Sequence, residues 1–242
     1  MPRIYENPQK TSHNRLPPRA YYLPGGKSEY QLLNGTWQLA FFESDAEVPA
    51  EIDRWDTIPV PSCWQLQGYE HPNYSNVNYP FPCDPPYVPD ENPCGVYQRD
   101  FTLEALWGRV YLVLEGVSSC AFVEVNGSNL GFTQGSHLQA EFDLTDHVHP
   151  GVNTLRIRVL KWCCGSYLED QDFFRFSGIF RDVYLLQRPQ GHIRDVDIRT
   201  DGNAICIHAD ARADMRVLDA AGNCLGQVCG VQDARLEIED PI

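Results

Sequence analysis

The sequence predicts an all-β protein built from antiparallel sandwiches. Short runs of alternating apolar residues, separated by turn residues, recur from Tyr30 to the end of the chain, and helical periodicity is nearly absent. This pattern is typical of a sandwich or a barrel. The dipeptide Asn126-Gly127 lies between two such runs, and it is the strongest short-range signal of a β-hairpin.

The predicted strands fall into two series. Those of the first series cover residues 35–42, 56–64, 96–103, 109–117, 121–127, 137–145, 153–162 and 181–189. Those of the second cover residues 193–200, 204–211, 215–222, 224–230 and 234–240, with turns at "DGN" and "AGN". The second series is typical of the first strands of an immunoglobulin-like sandwich, which needs about 100 residues. We therefore expect that sandwich to be truncated and the chain to be a fragment.

Residues 1–29 are rich in Pro, Gly, Asn and Arg and lack periodicity, so they predict an extended N-terminal arm. The predicted organisation is this arm, a sandwich over residues 30–189 and a truncated immunoglobulin-like sandwich over residues 190–242.

Composition limits the partners. The 242 residues contain 33 acids and 19 Lys or Arg, for a net charge of −14, which disfavours nucleic acids and anionic membranes as partners. Neutral ligands fit this surface. The N-terminus lacks the apolar run of a signal peptide, and the nine cysteines include no Cys-x-x-Cys. These features predict reduced thiols and a cytoplasmic protein.

Candidate chemistry lies in the longer irregular segments, residues 65–95 and 163–180. The stretch "SYLEDQDFFRFSGIFRD" (166–182) places Glu169, Asp170 and Asp172 among aromatic residues. Aromatic faces stack on sugars while carboxylates accept hydrogen bonds from hydroxyls, and a carboxylate also suits a hard cation. Paired carboxylates about 5 Å apart perform retaining glycoside hydrolysis.

The same acids have a structural alternative. Asp170 and Asp182 would pair with Arg175 and Arg181 and only stabilise the loop.

The other irregular segment, 65–95, has seven prolines within residues 71–95. This part also displays amides and phenols, namely Asn73, Tyr74, Asn76, Asn78 and Tyr79. A rigid loop of this kind is suited to binding hydroxyls. Alternatively, its amides bond their own backbone.

Several motifs resemble bacterial β-galactosidases of glycoside hydrolase family 2. They are "ENPQKTSHNRLPPRAYYLP", "LNGTWQLAFF", "VPSCWQLQGYEHPNYSNVNYPF", "PPYVPDENPCGVYQRDF", "LEGVSSCAFVEVNG", "AEFDLT" and "GSYLEDQDFFRFSGIFRDVYLL". The resemblance covers residues 1 to about 190 and fades over 191–242.

The resemblance implies a jelly-roll sugar-binding domain over 30–189, followed by the start of an immunoglobulin-like domain. In this family both catalytic glutamates lie on a later TIM barrel, so no catalytic residue is expected here. Asp172 would contribute to a sodium site and contact the sugar's hydroxymethyl group, and Asn76 would reach the galactose pocket. The full-length enzyme would be a retaining homo-oligomer assisted by magnesium and sodium.

Three other functions remain open. The first is a free-standing carbohydrate-binding module. The second is the front domain of a family 2 β-glucuronidase or β-mannosidase. The third is a small hydrolase that uses Glu169 and Asp172. If a barrel normally covers the loop at 166–180, we expect that loop to be mobile or distorted here.

Overall fold

A computed structural model describes residues 3–23, 25–76, 78–169 and 172–239. The chain divides into two compact units. The first contains the residues up to Pro17 together with Glu29–Gln187, and the second contains Pro18–Ser28 and the residues from Arg188 onward.

Seven strands of the described chain form the larger sheet of the first unit, and all neighbouring strands run antiparallel. Across the sheet the order is β1 (Ser12–His13), β10 (Ser128–Gln134), β9 (Cys120–Val125), β12 (Gly151–Leu160), β6 (Cys94–Leu103), β3 (Gly35–Phe42) and β4 (Asp56–Val60). The segment at β1, from the N-terminal arm, therefore pairs at one edge.

A four-stranded sheet, within the residues described, accompanies it. Its order is β11 (Ala140–Asp143), β7 (Arg109–Leu114), β15 (Val183–Arg188) and β2 (Glu29–Leu32). Two short ladders complete the unit: β5 (Tyr74–Ser75) pairs with β13 (Phe173–Phe174), and β8 (Val117–Ser118) pairs with β14 (Gly178–Ile179).

The main core consists of side chains from both sheets. Every second residue of β12, including Leu155 and Ile157, is fully buried, as a strand with one face on a core requires. From the other sheet, Val110 and Leu112 join the same cluster. The first unit is thus a β-sandwich, as the sequence predicts.

The predicted hairpin is confirmed. Val125 pairs with Ser128, and the two residues between them, Asn126 and Gly127, have φ of 48° and 77°. A two-residue turn with both φ values positive matches the twist of the flanking strands.

The predicted strand at 56–64 was too long. β4 ends at Val60, and a single 3₁₀ turn, Trp64–Gln67, follows. Pro61 has no N–H to continue the ladder.

Helical structure in the described ranges is limited to short 3₁₀ turns. They are Ile4–Glu6, Asp45–Glu47, Trp64–Gln67 and Cys164–Tyr167. Across those ranges, no helix has the length and apolar character needed to cross a bilayer. All nine cysteines are free thiols.

The second unit is an antiparallel sheet of long strands: β16 (Val196–Asp201), β17 (Ala204–Leu218) and β18 (Cys224–Glu237). The turns at "DGN" and "AGN" lie where the sequence predicts them. The predicted breaks near residues 212–214 and 231–233 are wrong, because register shifts within the β17–β18 pair let both strands continue.

Candidate functional site

The two irregular loops meet at the ladder formed by β5 and β13. Ser75 pairs with Phe173 and Tyr74 pairs with Phe174. In an antiparallel register the residue after Ser75 lies opposite the residue before Phe173. Asn76 and Asp172 are therefore brought side by side, and both are exposed.

Asp172 contacts the opposite loop through a phenol. The Tyr74 hydroxyl donates to Asp172 Oδ1 at 2.5 Å, across 98 residues of sequence. This hydrogen bond to a carboxylate raises the pKa of Tyr74 above its ordinary value. Among the described residues, no ion pair joins Asp172 to an arginine.

An aromatic surface lies beside this carboxylate. The Tyr74 ring is 5.7 Å from that of Phe174, which stacks on Phe176 at 5.6 Å. Tyr74 and Phe174 are 57% and 48% exposed. An exposed carboxylate next to exposed aromatic faces can bind the hydroxyls and the apolar face of a sugar.

Arg175 connects the two loops through hydrogen bonds of its side chain and backbone. Its side chain is buried, its Nε donates to Ser75 Oγ at 2.9 Å and its Nη1 donates to the Glu169 carbonyl at 2.8 Å. Its backbone N–H donates to the Asn73 carbonyl at 2.7 Å. The guanidinium fork thus positions the chain just before Asn76 and just before Asp172.

The predicted pairing of Arg175 with Asp170 stays a prediction, because Asp170 lies outside the described residues. The expected mobility of the loop at 166–180 is also untested. The other predicted pair differs from the expectation: Asp182 Oδ1 accepts from Asn34 Nδ2 at 2.7 Å, while Arg181 donates to the His137 carbonyl at 3.4 Å.

Glu169 is committed to a structural contact. Its Oε1 accepts from the Ser136 backbone N–H at 2.7 Å and its Oε2 from the Ser136 hydroxyl at 2.6 Å. With both oxygens used, Glu169 is not a second free carboxylate beside Asp172. The geometry therefore opposes a self-contained hydrolase that uses these two acids.

Further buried contacts stabilise the proline-rich loop. Asn92, fully buried, donates from Nδ2 to the Trp162 carbonyl at 2.9 Å and accepts from the Trp162 N–H at 2.8 Å. The Tyr79 hydroxyl donates to the Tyr167 carbonyl at 2.7 Å. Tyr79 thus serves the structure and is not displayed to a ligand.

A buried ion pair lies at the start of the same loop. Lys161 and Glu70 are in direct contact, with side chains 2% and 17% exposed. Glu70 Oε2 also accepts from Trp64 Nε1 at 3.0 Å and Gln65 Nε2 at 2.9 Å. Sequence analysis did not find Glu70, Lys161, Ser136 or the role of Arg175, because their partners are distant in sequence.

Metal binding has only partial support from the side chains present. In residues 3–23, 25–76, 78–169 and 172–239, no group of three or more His, Cys, Asp or Glu side chains is arranged to hold a metal ion. Asp172 presents an exposed carboxylate, a donor that suits a hard cation such as sodium, but a site would need further oxygens from elsewhere.

Comparison with known proteins places the chain. The family "Glycosyl hydrolases family 2, sugar binding domain" matches residues 30–189. A β-galactosidase from Actinobacillus pleuropneumoniae is 43% identical over 229 residues, which is 88% of this chain and 23% of that protein. This chain belongs to glycosyl hydrolase family 2.

Other members support the assignment. A β-galactosidase from Yersinia pestis bv. Antiqua (strain Angola) is 44% identical over 216 residues. These cover 82% of this family 2 chain and 21% of that protein. The chain therefore spans less than a quarter of the length of the curated relatives it matches.

A solved structure shares the fold. A β-glucuronidase from Faecalibacterium prausnitzii superimposes with a TM-score of 0.72, at 19% sequence identity, over 91% of this chain and 42% of that one. At such low identity the likeness establishes the all-β fold alone.

Proposed function

We propose that this chain supplies the sugar-binding wall of a β-galactosidase that hydrolyses terminal β-D-galactosides with retention of configuration. The observation that carries the proposal is the β5–β13 ladder, which brings Asn76 and Asp172 side by side on an exposed surface. The relatives at 43% and 44% identity, named β-galactosidases, support the choice of substrate.

In this proposal Asp172 accepts a hydrogen bond from the sugar's hydroxymethyl group and offers a carboxylate oxygen to sodium. Asn76 donates and accepts through its amide, and the Tyr74–Phe174 surface borders the sugar. Bound sodium and magnesium would supply positive charge that orients substrate oxygens. The catalytic glutamates would belong to a TIM barrel outside these residues.

Charge favours a galactoside over a glucuronide. A glucuronide carries a carboxylate in place of the hydroxymethyl group, and the Asp172 carboxylate would repel it. The F. prausnitzii β-glucuronidase shares only 19% identity with this chain, so it carries no argument about the substrate.

A chimera tests the proposal. Residues 1–242 would replace the matching segment of the A. pleuropneumoniae enzyme, and galactoside turnover would be measured. We expect activity in the chimera, with kcat/KM reduced about 10- to 100-fold by Asp172→Asn or Asn76→Ala, the effect of losing one hydrogen bond to a charged or well-placed group.

Asp53→Asn, a change at an exposed carboxylate, is the matched control and should leave turnover unchanged. An active chimera that is indifferent to both site variants would contradict the proposal.

A free-standing carbohydrate-binding module remains the second candidate, because a jelly roll can bind sugar alone. Titration calorimetry of the chain with galactose separates the two. We expect no detectable binding, since side chains on one wall do not enclose a ligand, whereas micromolar affinity would favour the binding module.

We also propose, from the family resemblance, that the full-length enzyme is a homo-oligomer and, from the cysteine pattern, that it is cytoplasmic. Light scattering on the full-length protein and fractionation of the producing cell test these two points.

A further inference from the structure

A cavity outside the loop site opens at the edge of the sandwich, next to strand β2. It has a volume of about 380 Å³, which is within the range of small-molecule sites. Strands β2, β6, β7 and β15 and the segment that follows β6 line it.

The floor of this edge cavity is apolar and its rim is acidic. Val110, Leu185 and Leu103 are buried. Glu29 and Glu104, both exposed, stand in the lining. No Lys, Arg or His is among the described residues that line the cavity, so the two carboxylates have no cation in the lining to balance them.

A buried acceptor points to the same ligand chemistry. Gln187 lines the cavity and is 5% exposed, and its Oε1 is buried with no hydrogen-bond partner among the described residues. Its Nε2 is already used, donating to Glu29 Oε2 at 3.4 Å. A buried oxygen without a donor is costly, and a ligand that brings a donor to Gln187 Oε1 would remove that cost.

We propose that the edge cavity binds a small organic cation, an alkyl ammonium whose N–H groups reach Glu29, Glu104 and Gln187 while its aliphatic stem covers the floor. The Tyr30 ring, 47% exposed in the lining, adds an aromatic surface suited to a cation. A neutral sugar would gain hydrogen bonds here but no Coulomb attraction.

Methyl and amide NMR on the 242-residue chain tests this, with 1,4-diaminobutane as the probe and 1,4-butanediol as its neutral analogue. We expect the diamine to shift Leu103, Leu185 and the Gln187 side-chain amide, and the diol to leave them unchanged. Because the attraction is electrostatic, raising NaCl from about 20 to about 200 mM should weaken binding several-fold.

Glu29→Gln and Glu104→Gln should each reduce the affinity for the diamine, about fivefold or more. Glu51→Gln removes the same charge at another exposed position of the first unit and should change nothing. If Glu51→Gln weakens binding equally, the attraction belongs to the net charge of the chain and the proposal is wrong.

Equal binding of the diol and the diamine would also overturn the proposal that the edge cavity binds a cation. If one glutamate variant fails to fold, the other variant and the salt dependence decide the outcome. Asp172→Asn should leave diamine binding unchanged, which would show that diamine binding is independent of the loop site.

Discussion

Single residues decide the shape of the loop site. Asp172 gives one carboxylate oxygen to the Tyr74 hydroxyl and stays exposed, while Glu169, three positions earlier, has both oxygens on Ser136. Acids in one short motif therefore have different roles, because hydrogen-bond partners and not sequence proximity determine which carboxylate is available.

The Tyr74 phenol reports on this contact. We expect Asp172→Asn to lower the pKa of Tyr74 toward the ordinary value of about 10, because the neutral amide no longer opposes ionisation. NMR titration with ring-labelled tyrosine measures it. In the unmodified chain the Tyr74–Asp172 hydrogen bond should persist at neutral pH and be lost as pH rises through the raised pKa of Tyr74. The same Tyr74 titration curve in the unmodified chain and in Asp172→Asn would contradict this.

Gly178 allows two segments of the chain to approach closely. Its φ is +122°, and a Cβ added there would lie 2.8 Å from the Tyr97 hydroxyl and 2.9 Å from the Ser62 carbonyl oxygen. Gly178→Ala should lower the free energy of unfolding by more than about 2 kcal/mol, from backbone strain together with the clash.

Urea denaturation measures that loss. The control is Gly68→Ala, where φ is +88° but nothing lies within 4 Å, so we expect only the strain, about 1–2 kcal/mol. Equal losses at both positions would show that the clash does not matter.

At the scale of elements, buried polar contacts join the described parts of the long loops to the rest of the first unit. Arg175 connects β5 to the segment before β13, Asn92 binds Trp162 in both directions, and Glu70 contacts Lys161. Each contact satisfies buried groups that would otherwise be unpaired, which stabilises the loop segments that carry them.

The Lys161–Glu70 pair should be strongly coupled to stability. Glu70→Gln would leave the ammonium group of Lys161, 2% exposed, without its carboxylate. We expect a loss of about 3–5 kcal/mol in unfolding free energy, the cost of an uncompensated buried charge. Thermal or urea unfolding measures it, and Glu43→Gln, at an exposed glutamate, should change stability by less than about 0.5 kcal/mol.

The N-terminal 3₁₀ turn docks on the proline-rich loop through Glu6, whose Oε1 accepts from the Val88 N–H at 3.2 Å. Burial raises the pKa of Glu6, but hydrogen bonds from Arg3 and Val88 outweigh it and hold the pKa below its ordinary value. This contact should stabilise docking above the ordinary pKa and be lost as pH falls through the lowered one.

Hydrogen exchange of the Val88 amide across the acid range measures the pH dependence of the Glu6–Val88 contact. Glu6→Gln should remove the pH dependence, and exchange protection that does not change with acid would contradict the assignment.

At the scale of the molecule, the chain belongs to a glycosidase family and, in our proposal, supplies one wall of a sugar pocket. Its curated relatives are more than four times as long as the part that this chain matches. We therefore expect the purified chain to release no product from a chromogenic galactoside, because glycoside hydrolysis needs a pair of available carboxylates and both oxygens of Glu169 are bound to Ser136. Turnover that copurifies with the chain and disappears in Asp172→Asn would contradict this.

Much of the fold follows from local patterns. Alternation along 35–42 and 153–162 places every second side chain on the core, and Asn126-Gly127 adopts the two positive φ values of its turn. These signals involve neighbours in sequence, so they are readable without a structure. Glu169 and Asp172 could be singled out from composition, but their different partners could not.

The site itself depended on tertiary contacts. Asn76 lies opposite Asp172 only because two loops about 100 residues apart close into the β5–β13 ladder. The side chains of Arg175, Ser136 and Lys161 also gain their roles from partners that lie 100, 33 and 91 residues away in sequence. Pattern and propensity act over a few residues, whereas these contacts form once the packed sandwich has overcome the entropy of closing long loops.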